Sequence, residues 1–521
     1  MGKYILGLNA IGINTSASII KDNKIIAAVE EERLTRDKRT RNFPEKSIEF
    51  CLNKLNINIT DLDYIAISWN PLINLEKFNK SYNSNLEYLP NILHSSLNHL
   101  IKNQNLNDDF MSQKIRIKNK DIEVFFIKHH LSHASSVYFS NFNKSAILTA
   151  DAFGEKETSV FYNFQNEKII NKIRNIVTLK KNGLFELDLN FFNHYQFHRP
   201  KYYNDNLINL LGVEPGSKSN DDDLKKIYYE IANGAQTVFE EIYFHMISHL
   251  KKVTKRENIV LGGGCALNCL ANGKITKKTG FKNIFVSPVP DDNGAGLGAA
   301  AYVYKNIINS KKKFNVQNYF LGPSSDEKTI LSKLKKYQIK YQKLQNVESH
   351  AAISISKGLV IGWFQGNIEF GDRALGNRSI LADPRNKNMK KIVNEKIKYR
   401  EKFRPFAPAV LEEEAYKYFD NLKNSNYMEM ALMVKKNKIN LIPAVTHIDG
   451  TARLQTVTKK FNKKFYDLIN EFYKLTNIPI LLNTSFNIQG EPIVCSVEDA
   501  LKNFYLSGLD IMYLNNFVIK K

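Results

Sequence analysis

Two apolar runs bracketing a histidine-rich hexapeptide constrain this chain most. Ile122 and the run 124–127 read as a strand, and His129-His130-Leu131-Ser132-His133-Ala134 opens the helix that follows. On that helix His129 and His133 share one face. A second strand, Ser145 to Ala150, delivers Asp151 at its carboxyl end, where α/β sheets present ligand groups. Two imidazoles and a carboxylate make half of a metal shell, and mixed nitrogen and oxygen ligands admit iron(II), manganese or zinc. The bland alternative is a polar helix start with satisfied histidines.

Further along, Asn258 to Leu261 runs into Gly262-Gly263-Gly264 and then Cys265-Ala266-Leu267-Asn268, a strand entering a helix through glycines. Such glycines let backbone amides approach a phosphate, so Gly263, Gly264 and Asn268 are candidate nucleotide contacts. The pattern is neither a P-loop nor a GxGxxG turn. Another strand, Asn283 to Val286, leads to Asp291-Asp292-Asn293-Gly294, which opens a small-residue helix able to pack closely on a neighbour. Asp292 is the candidate for the carboxylate the metal shell lacks.

The opening reads as a hairpin: strands at 3–10, 17–20 and 24–29. The decapeptide Glu30 to Arg39, dense in both signs, reads by default as a solvated face. Pro44 is expected to start a helix through Leu55. Residues 72–119, rich in Asn and Lys, read as a peripheral helical insertion. Leu184 to Pro215, with His194, His198 and Arg199, reads as a substrate-facing or partly mobile segment, and Leu224 to Val253 as a long buried helix.

At 521 residues, two or three domains are expected, with a boundary in the Lys-, Ser- and Asn-rich stretch 310–340. No run of 18 apolar residues predicts a membrane span, and polar Asn9, Asn14, Thr15 and Ser16 interrupt any signal-peptide core. Cys51, Cys265, Cys269 and Cys495 are too scattered for a disulfide framework, which points to a reducing cytoplasm. The 74 Lys and Arg against 52 Asp and Glu give +22. That excess suits DNA or another polyanion, or reflects a gene rich in A and T.

Beyond the boundary, Leu359 to Phe364 reads as a buried strand. An arginine series follows: Arg373, Arg378, Arg385, Arg400, Arg404 and Arg453. Several stand beside Gly, Pro or Ser rather than acidic helical partners, and guanidiniums on loops suit phosphate oxygens. Lys398 and Ser485 add donors of the same use. Two phosphate-binding lobes imply an activated intermediate made in one and consumed in the other.

The ordered set Glu30-Glu31-Glu32-Arg33-x-Thr35-Arg36-x-Lys38, His129-His130-x-x-His133-Ala134, Gly263-Gly264-Cys265-Ala266-Leu267-Asn268, Asp292-x-Gly294, Gly371-x-Arg373-Ala374-Leu375-Gly376-x-Arg378-Ser379-Ile380, Phe403-Arg404-Pro405-Phe406-Ala407-Pro408, Asp449-Gly450-Thr451-Ala452-Arg453 and Asn483-Thr484-Ser485-Phe486-Asn487 spans nearly the whole chain. It resembles the ATP-dependent O-carbamoyltransferases that act on nodulation factors and aminoglycosides. The resemblance implies an α/β chain: an actin/hexokinase-like, threonylcarbamoyl-transferase-like lobe over 1–325 fused to a YrdC-like lobe over 326–521. It implies that the second lobe makes carbamoyl adenylate from carbamoyl phosphate and Mg2+-ATP. The first lobe then hands the carbamoyl group to an acceptor hydroxyl near iron(II) or another divalent metal. His129, His133, Asp151 and Asp292 correspond to the metal shell and Lys38 to an adenylate contact. Lys398, Arg404, Arg453 and Ser485 correspond to the carbamoyl phosphate pocket, with Arg373 and Arg378 as phosphate partners.

One position departs from the family pattern. Its histidine in the opening turn, thought to take the acceptor proton, is Ile13 here. Either Glu230 or His130 substitutes, or the hydroxyl needs little help. The expected partners are small-molecule co-substrates and an acceptor that is sugar-like or a hydroxymethylated base in DNA, with no membrane and a homodimer left open. Competing classes are a tRNA threonylcarbamoyl-type enzyme and an inactive nucleotide- or nucleic-acid-binding homologue.

Overall fold

Apolar alternation and β-branched runs build the strands, and where glycines replace side chains the helices approach unusually close. In the computed structural model the described residues are 2–70, 109–151, 159–165, 168–174, 183, 203, 205–211, 222–422 and 425–521. Among them, β1 (Tyr4–Asn9), β2 (Ser16–Lys21) and β3 (Lys24–Glu30) form an antiparallel meander. Strands β4 (Tyr64–Ile67), β5 (Phe110–Ile117) and β6 (Lys120–Ile127) complete a sheet of order β3-β2-β1-β4-β6-β5. The second sheet comprises β7 (Lys144–Ala150), β8 (Ser159–Gln165), β9 (Lys168–Arg174), β10 (Asn258–Gly262) and β11 (Asn283–Val286), in order β11-β10-β7-β8-β9. Parallel pairing of β7 with β10 brings their carboxyl ends together, the usual place for a ligand.

The small-residue helix is Asp292–Tyr302. A Cβ on Gly296 would lie 2.6 Å from the Leu8 carbonyl carbon, and one on Gly298 would lie 1.9 Å from the Ser132 carbonyl oxygen. Only hydrogen at these positions lets the helix lie against β1 and against the His129–Ala134 helix at once. That double contact sets Asp292 beside the two histidines.

The third sheet has eight strands. It runs from Gln342–Lys343 through Phe517–Lys520, Ile511–Leu514, Ile361–Phe364, Arg378–Ala382, Ile480–Ser485 and Ala407–Leu411 to Gln455–Val457. The helix Lys463–Thr476 covers it with Phe465, Leu468, Ile469 and Phe472, spaced as one helical face, and Asn462 caps its start through Phe465 N–H. A small ribbon pairs Ala431–Met433 with Thr451–Arg453.

Three sequence expectations change. The decapeptide 30–39 is not a solvated face at its start: Glu30 and Glu31 are each 2% exposed and Arg33 4%. Their charges are spent on internal partners. Glu31 accepts from Ser47 N–H and Oγ–H, at 2.8 and 2.7 Å, in the first turn of the helix Glu45–Leu55. Of the stretch 72–119, residues 110–117 form a strand rather than a helix, because Met111 and its neighbours pair with β6; 72–108 lie outside the described residues. The long helix forms over Asp222–Thr254, and among its described side chains it buries Tyr243, Met246, Ile247 and Leu250 in its later part, whereas Tyr229 and Val238 are exposed. His194, His198 and Arg199 lie outside the described residues, as does the Glu230 side chain.

Candidate active site

The first site is assembled from three element ends. One nitrogen each from His129 and His133 and one oxygen each from Asp151 and Asp292 lie within 4.8 Å of one another. The two Nε2 atoms are 3.1 Å apart. Asp292 Oδ1 is 3.4 Å from His129 Nε2 and 3.6 Å from His133 Nε2, and Asp151 Oδ2 is 3.4 Å from His133 Nε2. Both imidazoles hold the Asp292 carboxyl well below the usual range, against the pull of burial. Asp292 Oδ1 is nevertheless buried without a well-formed hydrogen bond. A convergent set of two nitrogens and two oxygens with an orphaned carboxylate oxygen fits a divalent cation.

The supporting contacts are specific. His130 turns its Nδ1 to Thr149 Oγ1 at 2.9 Å, and the Trp69 ring meets His129 edge-on at 5.3 Å. Gly264 N–H donates to Asp151 Oδ2 at 2.8 Å, so this glycine orients a candidate metal ligand. Gly263 has φ +83°, and a Cβ there would stand 2.3 Å from the Ala150 carbonyl oxygen. The expected helix after the glycines is a 3-10 turn, Gly264–Leu267, followed by the short helix Cys269–Asn272. Asn268 caps that helix through Ala271 N–H and exchanges two hydrogen bonds with Gln236.

Sequence reasoning passed over Asp291, Asn14 and Asp372. Burial and the nearby carboxylates Asp372, Asp292 and Asp151 push Asp291 up to about 7. Asn14 Nδ2 donates to Asp291 Oδ2 at 3.1 Å, while Asn9 Nδ2 holds the Ile13 and Asn14 carbonyls at 3.2 and 3.1 Å. Ile13 therefore sits on a fixed turn and is 36% exposed. The adjacent acids Asp291 and Asp292 were the available signal, but only the fold brings Asp372 in from far along the chain.

The second site is cationic. Burial, then Arg373, presses Arg453 down to about 10, with Arg400 adding to the effect and nearby Cys269 opposing it. Arg400 is also held near about 10 by burial and Arg404, and its guanidinium stacks 4.9 Å over the Phe406 ring. Burial drives the Lys398 ammonium well below its ordinary range, with Arg400 and Lys38 contributing. Lys398 Nζ donates to Ser485 Oγ at 3.2 Å and to the carbonyl and Oδ1 of Asn487 at 3.0 and 2.7 Å. Asn487 was missed as a partner. Lys38 Nζ donates to the Glu491 carbonyl at 3.2 Å, and Arg404 is among the charges acting on it. Like charges concentrated in this way are stabilised by a bound anion.

Arg378 has a different place. It is 0% exposed, stacks 3.5 Å over Phe364, and gives its terminal nitrogens to the carbonyls of Gln365, Asn377, Gly366 and Pro323. Those four acceptors occupy the fork a phosphate would need, so the phosphate-partner expectation is corrected to a structural role. Arg385 pairs with Asp383 rather than standing free of acids.

One segment touches both sites. Gly264 holds Asp151, Cys269 reaches Arg453, and Asn272 Nδ2 donates to the Glu429 carbonyl at 3.0 Å. The short helix Glu31–Thr35 fastens the two halves on another side. Arg36, which follows it, donates to the Ile493 and Pro492 carbonyls at 2.6 and 2.9 Å.

Comparison with known proteins agrees along the chain. A family model described as carbamoyltransferase N-terminus matches residues 4–176 and 166–301, and one described as carbamoyltransferase C-terminus matches 352–521. Nodulation protein NolNO of Sinorhizobium fredii is 34% identical over 97% of this chain and 78% of its own length. An uncharacterised Synechocystis protein is 31% identical over 99% of this chain and 97% of its own. Nodulation protein NolO of Bradyrhizobium diazoefficiens is 41% identical over 56% of this chain and 54% of its own. Among solved structures, a Thermus thermophilus ROK hexokinase covers 59% of this chain and 100% of its own at 12% identity and TM-score 0.34. Full-length HypF covers 33% and 25% at 19% identity and TM-score 0.25. Those structural likenesses are loose, and the assignment rests on sequence: this chain belongs to the carbamoyltransferase family and is an enzyme of that family.

Proposed function

We propose that the cationic pocket makes carbamoyl adenylate and that the carbamoyl group passes to an acceptor hydroxyl beside the histidine-aspartate shell. In outline, carbamoyl phosphate, ATP and water give carbamoyl adenylate, phosphate and pyrophosphate. A carbamate oxygen bonds the α-phosphorus as the bond to pyrophosphate breaks. The acceptor oxygen then bonds the carbamoyl carbon as AMP leaves, and the hydroxyl proton is released. Carbamate itself is a poor electrophile; the mixed anhydride supplies a good leaving group. Lys398, Arg400, Arg404 and Arg453, with Lys38 and Arg373, would bind the phosphates and stabilise charge that moves onto them.

His129, His133, Asp151 and Asp292 would hold a divalent ion, iron(II) in this reading, which supplies screening of phosphate oxygens. The lobes are read as actin/hexokinase-like over 1–325 and YrdC-like over 326–521, in a cytoplasmic enzyme. The observation that carries the reading is the segment from Gly264 to Cys269, which joins a metal ligand to the arginine pocket.

The net charge of +22 favours a polyanionic acceptor, a hydroxymethylated base in DNA, over a neutral sugar. The test is incubation with carbamoyl phosphate, Mg2+-ATP and either hydroxymethylated DNA or an aminoglycoside, reading an acceptor mass gain of about 43 Da. A gain on neither, with no pyrophosphate formed, would overturn the reading.

A further inference from the structure

Arg373 differs from Arg378 in having no anchor of its own. It is partly exposed, and among the described residues it makes no ion pair and no side-chain hydrogen bond. Yet its charge bears on Arg453 more than that of Arg400 does. A guanidinium without a partner does not settle beside like charges by itself, so the main chain next to it must set its place.

That main chain is tied at many points. One oxygen of Glu369, Oε1, accepts from Leu375, Asn377 and Arg378 N–H at 2.8, 2.8 and 3.1 Å. Gly376 between them has φ +102°, and a Cβ there would stand 2.2 Å from the Phe465 ring. The carbonyls of Ala374 and Leu375 accept from Asn483 Nδ2 at 3.1 Å and from Gln455 Nε2 at 3.0 Å.

These two amides stand at sheet positions where apolar residues are usual: Gln455 is 0% exposed and Asn483 1%. They also bond each other, Asn483 Nδ2 donating to Gln455 Oε1 at 2.9 Å. The partners fix both orientations. Turning the Gln455 amide would set nitrogen against nitrogen and oxygen against the Leu375 carbonyl. Turning Asn483 would set its oxygen against the Ala374 carbonyl and Gln455 Oε1. Asn483 keeps its orientation although its Oδ1 then lies buried without a hydrogen bond among the described residues, so donation to the loop outweighs that cost.

Each amide lies two positions from a residue of the cationic pocket. Asn483 and Ser485 belong to the strand Ile480–Ser485 and share one face of it, and Ser485 Oγ accepts from Lys398 Nζ at 3.2 Å. Gln455 opens the strand that follows Arg453, with Leu454 between them. The loop behind Arg373, the chain that carries Arg453 and the strand that carries Ser485 thus meet in one amide pair.

We propose that Gln455 and Asn483 are positioning residues of the anion pocket, whose paired amides hold the loop behind Arg373 and so set its guanidinium beside Arg453 to receive the phosphate of carbamoyl phosphate. This rests on the adenylate-forming reading above. Placement is demanding here, because a displacement of about 1 Å at a group that orients substrate can cost on the order of 100-fold in rate.

The test uses the whole chain and pyrophosphate release from ATP with carbamoyl phosphate varied, in the unsubstituted protein and in Arg373→Lys, which keeps the charge but not the fork. Gln455→Met removes both hydrogen bonds with little change in volume. It is expected to lower kcat/KM for carbamoyl phosphate on the order of 10- to 100-fold. In the Arg373→Lys background the same substitution should cost less than about threefold, since the group it positions is already altered. Asn483→Ala should follow the same pattern and serves if the methionine variant does not fold. Equal losses in the two backgrounds, the result of a merely structural role, overturn the proposal alone, as does an unchanged kcat/KM in either folded variant. Absence of carbamoyl phosphate-dependent pyrophosphate in the unsubstituted protein overturns the adenylate reading and this proposal with it.

Discussion

Gly371 gives its amide hydrogen to Glu30 Oε1 at 2.8 Å, across 341 positions of chain. The Gly371 carbonyl accepts from Arg33 Nη2 at 2.9 Å, and Arg33 also pairs with Glu30 at 3.4 Å. A buried ion pair thus clasps both main-chain polar groups of one residue of the other half, and Asp372 follows directly from it. The charged opening of the family pattern is a fastener between the halves.

Removing one partner of that pair leaves a buried charge unanswered. Arg33→Met should destabilise the protein by roughly 3–5 kcal/mol, and adding Glu30→Gln should recover part of the loss. Denaturant unfolding of the two variants checks both; a strictly additive pair would contradict the clasp.

Substitution at the shell should separate metal from activation. His133→Ala and Asp292→Asn should each lose bound divalent metal, read by elemental analysis, while carbamoyl phosphate-dependent pyrophosphate formation persists and transfer stops. The opposite pattern would reverse the assignment of the two pockets.

The two arginines of most different surroundings should fail differently. Arg453→Ala is expected to abolish pyrophosphate formation in a folded protein. Arg378→Ala removes four hydrogen bonds to main-chain carbonyls, of which those of Asn377 and Pro323 keep a backbone donor, and should appear as a loss of stability above about 4 kcal/mol, or as insolubility. Circular dichroism melts beside the pyrophosphate assay distinguish the cases.

Glu429 turns its carboxyl inward, accepting from Ser425 Oγ at 3.1 Å and Tyr427 N–H at 2.9 Å with no cation beside it among the described residues, and burial pushes it from 4.5 up to about 7. The folded chain therefore holds this proton more tightly than the unfolded one. Its contribution is complete below pH 4.5 and is lost as pH climbs through 7, amounting to about 3 kcal/mol. Glu429→Gln should flatten the fall in stability between pH 5 and 8, measured by thermal unfolding at several pH values.

The convergence of the four candidate metal ligands was legible in the sequence because each stands at the end of an apolar run or at the start of a helix. His129 and His133 are four apart, and Asp151 and Asp292 each follow a strand or turn signal. The arginine pocket was legible as a set but not residue by residue. Arg378 and Arg453 look alike in sequence, and only packing shows one guanidinium spent on carbonyls and the other among cations. The segment 30–39 misled because charge density alone cannot reveal that its partners are main-chain groups hundreds of residues away. Asn14 and Asp372 acquire meaning only from neighbours that the fold supplies.

From Gly264, which steadies the candidate metal ligand Asp151, to Cys269, beside Arg453, is five residues, a main-chain span of at most about 18 Å even if fully stretched. Under the proposed function, a labile anhydride made at one end would have a path of that order to cover before it reached the other. Carrier proteins and swinging arms are unnecessary over such a span, and yield would be governed by how well water is kept off that short crossing.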